Sequence, residues 1–293
     1  MDLEQSAFEA LRFASAQSLK LYKQPLVITY SGGKDSDVLL RLAENSGIPF
    51  EVLHSMTTAD APETVYHVRD TFRRMEEKGV KCVIDAHVQP DGKRITMWNL
   101  IPKKLMPPTR LVRYCCAILK EGRGKGRFIA TGVRWDESAK RKKSRGLIDV
   151  QNKDVGKRLI LMNDNDETRM QFENCQMKGR RVVNPIIGWD NKAVWDYAET
   201  EKICMNPLYG CGRTWVGCIG CPLASKRARI EEFIIWPKYK QSYIRAFDRM
   251  LEVRRMAGKS GSWQTGIDVF HAWMENGVLP GQEVLEEFRE DLI

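Results

Sequence analysis

Hydrophobic positions along the chain form short apolar runs separated by stretches with helical periodicity. Residues 4–22 place Phe8, Leu11, Ala14 and Leu19 at helical spacing and predict an amphipathic helix. The run Pro25-Leu-Val-Ile-Thr-Tyr30 predicts a first strand, and a helix follows near 36–46, ending at Gly47. Next come a strand at 50–55, a helix from Pro62 to about 78, a strand at 80–85 and a helix near 93–105. Pro62 suits a first helical turn, where its missing N–H costs nothing. Beyond Pro107-Pro108 a helix is expected over 113–121, and a strand at 127–133 leads into a basic loop. Residues 147–182 are charged and poorly periodic and read as an insertion, after which a strand near 181–187 and a helix at 190–200 close the series. From Asn206 the chain reads as loop, then helices over 226–257 and 264–276.

Strands alternating with helices predict an α/β fold built on a doubly wound parallel sheet covered by helices. Ligands of such sheets sit beyond the carboxyl ends of the strands. The segments after strands 25–30, 50–55 and 127–133 all open there. Two domains are expected: residues 1–203 as a nucleotide-binding α/β domain carrying the 147–182 insertion, and 204–293 as a cysteine-bearing loop with C-terminal helices.

With 43% hydrophobic residues the chain can bury a sizeable core. No apolar stretch reaches the roughly 20 residues of a membrane span, and the first residues are polar and acidic, so a soluble, cytoplasmic protein without membrane contact is expected. The formal net charge of +9 favours an anionic partner, nucleotide or nucleic acid. The excess is concentrated: residues 134–145 carry six basic side chains against two acidic ones. Lys140, Arg141, Lys142 and Lys143 are candidate contacts to a nucleic-acid backbone or phosphate. For a second run, Lys226-Arg-Ala-Arg229, a solvated helix face is an equally good reading.

The segment Ser31-Gly-Gly-Lys-Asp-Ser36 follows the first strand directly. Gly32 and Gly33 tolerate positive φ and leave backbone N–H groups uncovered. Lys34 adds a point charge for phosphate oxygens, and Ser31 and Ser36 add hydroxyls. A helix beginning near Asp35 turns its positive end to the same place, where Asp35 suits either the helix start or a metal-orienting role. The spacing is not that of the eight-residue Gly-x4-Gly-Lys-Ser/Thr loop. Its form instead resembles the pyrophosphate-binding loop (PP-loop) of ATP pyrophosphatases, which cleave between the α and β phosphates.

Eight cysteines without a secretory signal argue for metal binding or redox chemistry rather than disulfides. Cys115 and Cys116 are adjacent, and Cys218 and Cys221 form a CxxC pair; two such pairs can supply four soft ligands to a zinc, iron–sulfur or dithiol site. Cys82 reads as a small core residue, while Cys175 and Cys204 receive no role. Cys211, in a glycine-rich loop, is a candidate redox or sulfur-carrying thiol. His54, His67, His87 and His271 form no ligand-spaced pair.

A Cys-Cys pair, a distant CxxC and this loop together resemble the adenylylsulfate/phosphoadenylylsulfate (APS/PAPS) reductase family. Pro62-Glu-Thr64, Thr131-Gly-Val-Arg134 with Glu137, Asn184-Pro-Ile186 and Asn206-Pro-Leu-Tyr209 lie in the expected order. The resemblance covers roughly residues 20–225 and implies a fold like the adenine nucleotide alpha hydrolases. It implies a 4Fe-4S cluster on Cys115, Cys116, Cys218 and Cys221. It also implies ATP with Mg2+ on Ser31–Ser36, with Asp60, Gly132 and Arg134 as further nucleotide contacts, and Lys34, Asp35 and Arg134 as the catalytic set. Two departures bear on the reaction. No cysteine follows Cys221, where the reductases carry their catalytic thiol, and the Gly-Gly-Lys-Asp-Ser loop is intact. Both point to the ATP-using branch that inserts sulfur, typified by DNA phosphorothioation enzymes. DNA ahead of tRNA is the expected acceptor and a cysteine desulfurase the expected sulfur donor. Sulfite production from APS or PAPS, tRNA thiolation and a non-catalytic nucleotide-binding subunit are the competing readings.

Overall fold

The computed structural model describes residues 2–89, 91–120, 126–137, 146–152, 157–161, 180–259 and 261–275. The chain divides into two compact units. One comprises Met1–Ser55, Pro62–Asp85 and Gly122–Val216; the other comprises Met56–Ala61, Ala86–Glu121 and Gly217–Ile293.

The first unit is built on strands β1 (Leu26–Thr29), β2 (Phe50–Ser55), β3 (Cys82–Asp85), β4 (Phe128–Ala130), β5 (Ile148–Asn152), β6 (Lys157–Leu161) and β7 (Arg180–Val183). They form a sheet of order β3-β2-β1-β4-β7-β5-β6. The pairs β3–β2, β2–β1, β1–β4 and β4–β7 are parallel, whereas β5 is antiparallel to both β7 and β6. The parallel α/β fold expected from the sequence is therefore present, extended at one side by an antiparallel hairpin. That hairpin lies within the segment 147–182 read as an insertion, where no strands were expected before 181. Its strands alternate apolar and polar residues (Ile148-Asp-Val-Gln), but they are too short for the pattern to stand out from the surrounding charge.

Helices α1 (Leu3–Tyr22), α2 (Lys34–Asn45) and α3 (Pro62–Glu77) belong to this unit. Side chains alternate across β1: Leu26 and Ile28 join Ala7, Leu11, Val38 and Leu42 in the main core, while Val27 packs with Ile129 and Val182. Both faces of the central strand are thus buried, as a parallel sheet requires. Because α2 begins four residues after Tyr30, its first turn is held at the carboxyl end of β1.

The second unit is helical: α4 (Met97–Lys104), α5 (Tyr114–Leu119), then, after α6 (Asn191–Thr200) and α7 (Pro207–Gly210) of the first unit, α8 (Lys226–Ile235), α9 (Pro237–Met256) and α10 (Gly266–Met274). α9 packs on both α4 and α10. Tyr243 lies at the centre of an aromatic core, 4.8 Å from the Trp273 ring and 5.1 Å from that of Trp98. The helix expected over 226–257 is in fact two. Pro237 has no N–H to continue α8 and is preorganised to start α9. Likewise the helix expected from 93 starts only at Met97, where Thr96 and Asn99 cap each other reciprocally. Among the described residues no helix is long and apolar enough to cross a membrane.

Candidate functional site

The chain leaves β1 through Tyr30 and turns at Gly32, whose φ is +76°. A Cβ there would meet Val68 Cγ2 at 2.9 Å and Thr64 Cγ2 at 3.1 Å, so glycine is required by both conformation and space. Gly33 is extended and caps α2. The hydroxyls of Ser31 and Ser36 are turned inward. Ser36 Oγ donates to the Gly33 carbonyl at 2.7 Å and accepts from the Gly33 N–H at 3.1 Å, and Ser31 Oγ donates to it at 3.2 Å. The first-turn N–H groups of α2 have no partner inside the helix. That of Lys34 donates to Tyr209 Oη at 2.9 Å.

A buried network closes the base of the loop. Tyr30 and Asp37, the residues that flank it, join side chains: Tyr30 Oη donates to Asp37 Oδ1 at 2.5 Å. His67 Nε2 lies 2.9 Å from both atoms, and Thr71 Oγ1 is 3.1 Å from Tyr30 Oη. With a carboxylate facing it, Nε2 is the protonated nitrogen. Burial first, and then the charge of Asp37, hold the Tyr30 phenol well above its ordinary pKa, so it remains a donor. His67 had no visible role in the sequence; its partners lie 30 and 37 positions away.

Lys34 Nζ and Arg134 share one carboxylate. Asp35 Oδ2 is 3.0 Å from Lys34 Nζ, and Arg134 Nε donates to Asp35 Oδ1 at 2.7 Å. Arg134 is buried and also bonds the Trp189 carbonyl and Asp136. It ties the strand-β4 loop to the start of α2. Gly132 stands in the same place, since a Cβ on it would lie 2.9 Å from the Asp35 carbonyl oxygen. Lys34, Asp35, Gly132 and Arg134 are thus brought together around one helix start.

The stretch from Asn206 docks on this loop. Asn206 Nδ2 donates to the Gly32 carbonyl at 2.7 Å and to Thr64 Oγ1 at 3.1 Å, and Asn206 caps the short α7 that carries Tyr209. Cys211 follows at the end of that helix and is exposed. Lys140, Arg141, Lys142 and Lys143 lie outside the described residues. In the second basic run, Lys226 and Arg227 are exposed, but Arg229 is buried and stacks 4.0 Å over the Trp273 ring. That run is not a uniform charged face.

All four paired cysteines belong to the second unit, as does Asp60. The turn Cys218–Cys221 is fixed on every side. Ile219 donates its N–H to the Ala59 carbonyl, Tyr243 Oη donates to the Ile219 carbonyl, and the Gly220 N–H donates to Glu232. Cys218 Sγ lies 3.4 Å from Thr57 Oγ1 and 3.8 Å from Asp60 Oδ1. Asp60 is thereby placed beside a thiol. The Cys116 side chain, burial and the neighbouring Cys218 and Cys221 push the Cys115 thiol far up. Burial pushes Cys218 up to about 11 and also raises Cys221. The charge of Cys218, followed by Asp60, Cys116 and Cys221, raises Lys120, which sequence reasoning passed over although it follows Cys116 by one helical turn. Among the described residues, no three cysteine, histidine or carboxylate side chains close to the spacing of a single bound ion.

A parallel α/β sheet with a glycine-rich, lysine-bearing loop at the carboxyl end of its central strand defines a nucleotide-phosphate-binding protein of the PP-loop class. The chain belongs to the phosphoadenosine phosphosulfate reductase domain family, which matches residues 25–224. It is similar to sulfate adenylyltransferase subunit 2 of Rhodopseudomonas palustris, with 28% identity over 212 residues covering 71% of this chain and 60% of that protein. The same subunit of Rhodospirillum rubrum is 30% identical over 220 residues, 71% of this chain and 67% of that one. The chain thus spans about 60% of the length of the first of these relatives. Among solved structures, the PAPS reductase of Candida auris in phosphate complex aligns with a TM-score of 0.44 at 16% identity, over 72% of this chain and 87% of that one. The U34-tRNA thiolase of Methanococcus maripaludis with its 4Fe-4S cluster aligns at 0.42 and 18%, over 88% and 82%.

The close approach of Gly132 to Asp35 yields a direct test. Gly132→Ala must push the start of α2 away, and the variant is expected to fold yet bind ATP at least about tenfold more weakly, as a loss of some 1.4 kcal/mol implies. Equal ATP affinity for the variant and the parent, measured by calorimetry, would refute the claim that Gly132 sets the loop.

Proposed function

We propose that this chain is an ATP pyrophosphatase that adenylates an acceptor oxygen and then exchanges it for sulfur. The observation that carries this reading is the intact Gly32–Gly33–Lys34 turn at the carboxyl end of β1, with the Lys34 ammonium, Arg134 and the Tyr209 hydroxyl beside it. ATP, entering with Mg2+, places its β and γ phosphates on residues 31–36. An acceptor oxygen attacks the α phosphorus, the bond to the bridging oxygen breaks, and pyrophosphate leaves. The Lys34 ammonium stabilises charge building on that leaving group. Asp35 holds Lys34 and Arg134 in place, and Arg134 fastens the β4 loop carrying Gly132. A sulfur nucleophile then displaces AMP. Relatives named sulfate adenylyltransferase support adenylyl transfer as the reaction type.

For the acceptor, the net charge of +9 favours an anionic polymer, with DNA ahead of tRNA, and a cysteine desulfurase is the sulfur donor in this reading. Cys211 is the candidate thiol for carrying sulfur, because it is exposed and follows a segment bonded to the phosphate loop. Cys115, Cys116, Cys218 and Cys221 would hold the 4Fe-4S cluster. The donor set fits in kind: an adjacent pair and a CxxC pair, all in the second unit, offer the four sulfur ligands that an iron–sulfur cluster takes. When bound, the cluster supplies a soft, electron-accepting sulfide core. Since Cys115, Cys218 and Cys221 are raised in pKa, loading must expel their protons.

Incubated anaerobically with ATP, the protein is expected to release pyrophosphate, and Lys34→Ala to lower that rate by about 100-fold or more. Sulfite formed from APS or PAPS without ATP consumption would overturn the reading. Anaerobic preparations are expected to carry iron and sulfide and to absorb near ~400 nm, with iron lost on Cys218→Ser. Equimolar zinc with no iron would reject the cluster.

A further inference from the structure

We propose that Tyr209 is a phosphate-contacting residue of the nucleotide site, its hydroxyl donating a hydrogen bond to the pyrophosphate moiety of the bound nucleotide. The inference rests on the ATP reading above and adds to it a specific residue that distinguishes a pyrophosphate from a single phosphate.

The geometry is specific. Tyr209 Oη accepts the Lys34 N–H at 2.9 Å and lies 3.4 Å from the point where a Cβ on Gly33 would sit. The phenol oxygen therefore stands directly over the Gly33–Lys34 peptide, the part of the turn that faces an incoming phosphate. A phenol has one proton to give and lone pairs to receive. Here the receiving side is used by Lys34, and among the described residues no acceptor takes the proton. Burial pushes the Tyr209 pKa up to about 12, so the proton is retained at working pH. A hydroxyl that already accepts from an N–H is polarised and becomes a better donor.

The ring is also held, which a chance contact would not be. Asn206, three residues earlier, bonds the Gly32 carbonyl and Thr64, and the Trp195 ring meets Tyr209 edge-on at 5.3 Å between centroids. The same segment thus grips the turn at Gly32 and presents a donor at Lys34.

Tyr209→Phe keeps the ring and its contact with Trp195 and removes only the oxygen. Binding of ATP, inorganic pyrophosphate and AMP to the full chain is measured anaerobically by calorimetry, with thermal melting of the ligand-free protein alongside. The variant is expected to lose roughly tenfold or more in affinity for ATP and pyrophosphate, as for a hydrogen bond to a charged group, with AMP affinity unchanged. Two results overturn the inference: unchanged pyrophosphate affinity, or an equal loss for AMP with a lowered melting temperature, which would make Tyr209 a structural cap of α2. If the parent protein binds neither ATP nor pyrophosphate, the ATP reading itself fails and the inference falls with it.

Discussion

The nucleotide-facing unit depends on a two-glycine turn without side chains of its own at the end of a buried strand. Everything around it is dense: Thr64 and Val68 leave no room for a side chain at Gly32, and the Asp35 carbonyl leaves none at Gly132. Tyr30 and Asp37 pinch the two ends of the turn together through a hydrogen bond to which His67 adds. A turn left free would spend conformational entropy each time it received a phosphate. Here that ordering is done during folding, by packing and by the partly exposed Asp35 carboxylate that Lys34 and Arg134 share.

The elements that were legible in the sequence were those with a local signature. The turn at 31–36, Pro62 at the start of α3, the parallel order of the early strands and the two cysteine pairs all announce themselves within a few residues. What stayed hidden depends on long-range contact. Tyr209 reaches Lys34 across 175 positions and His67 reaches Asp37 across 30, so neither leaves a periodic trace. Asp60 follows β2 as expected of a nucleotide contact, yet a short bridge to Cys218 draws it to the thiols. Element ends moved where a cap or a proline decided them, at Thr96 and Pro237. The hairpin β5–β6 escaped notice because charged residues dilute its alternation.

The second unit poses a different physical problem. It brings buried thiols together and fixes the Cys218–Cys221 turn by hydrogen bonds and an aromatic core rather than by disulfides. Gly220 is part of that device: its φ is +71°, and a Cβ would lie 2.5 Å from the Phe233 ring.

The central claim is that the two-glycine turn directs cleavage between the α and β phosphates. Phosphorus NMR of the products formed from ATP by the anaerobic protein with its acceptor tests it most directly. The account predicts AMP and pyrophosphate as the first products. ADP and inorganic phosphate would contradict it.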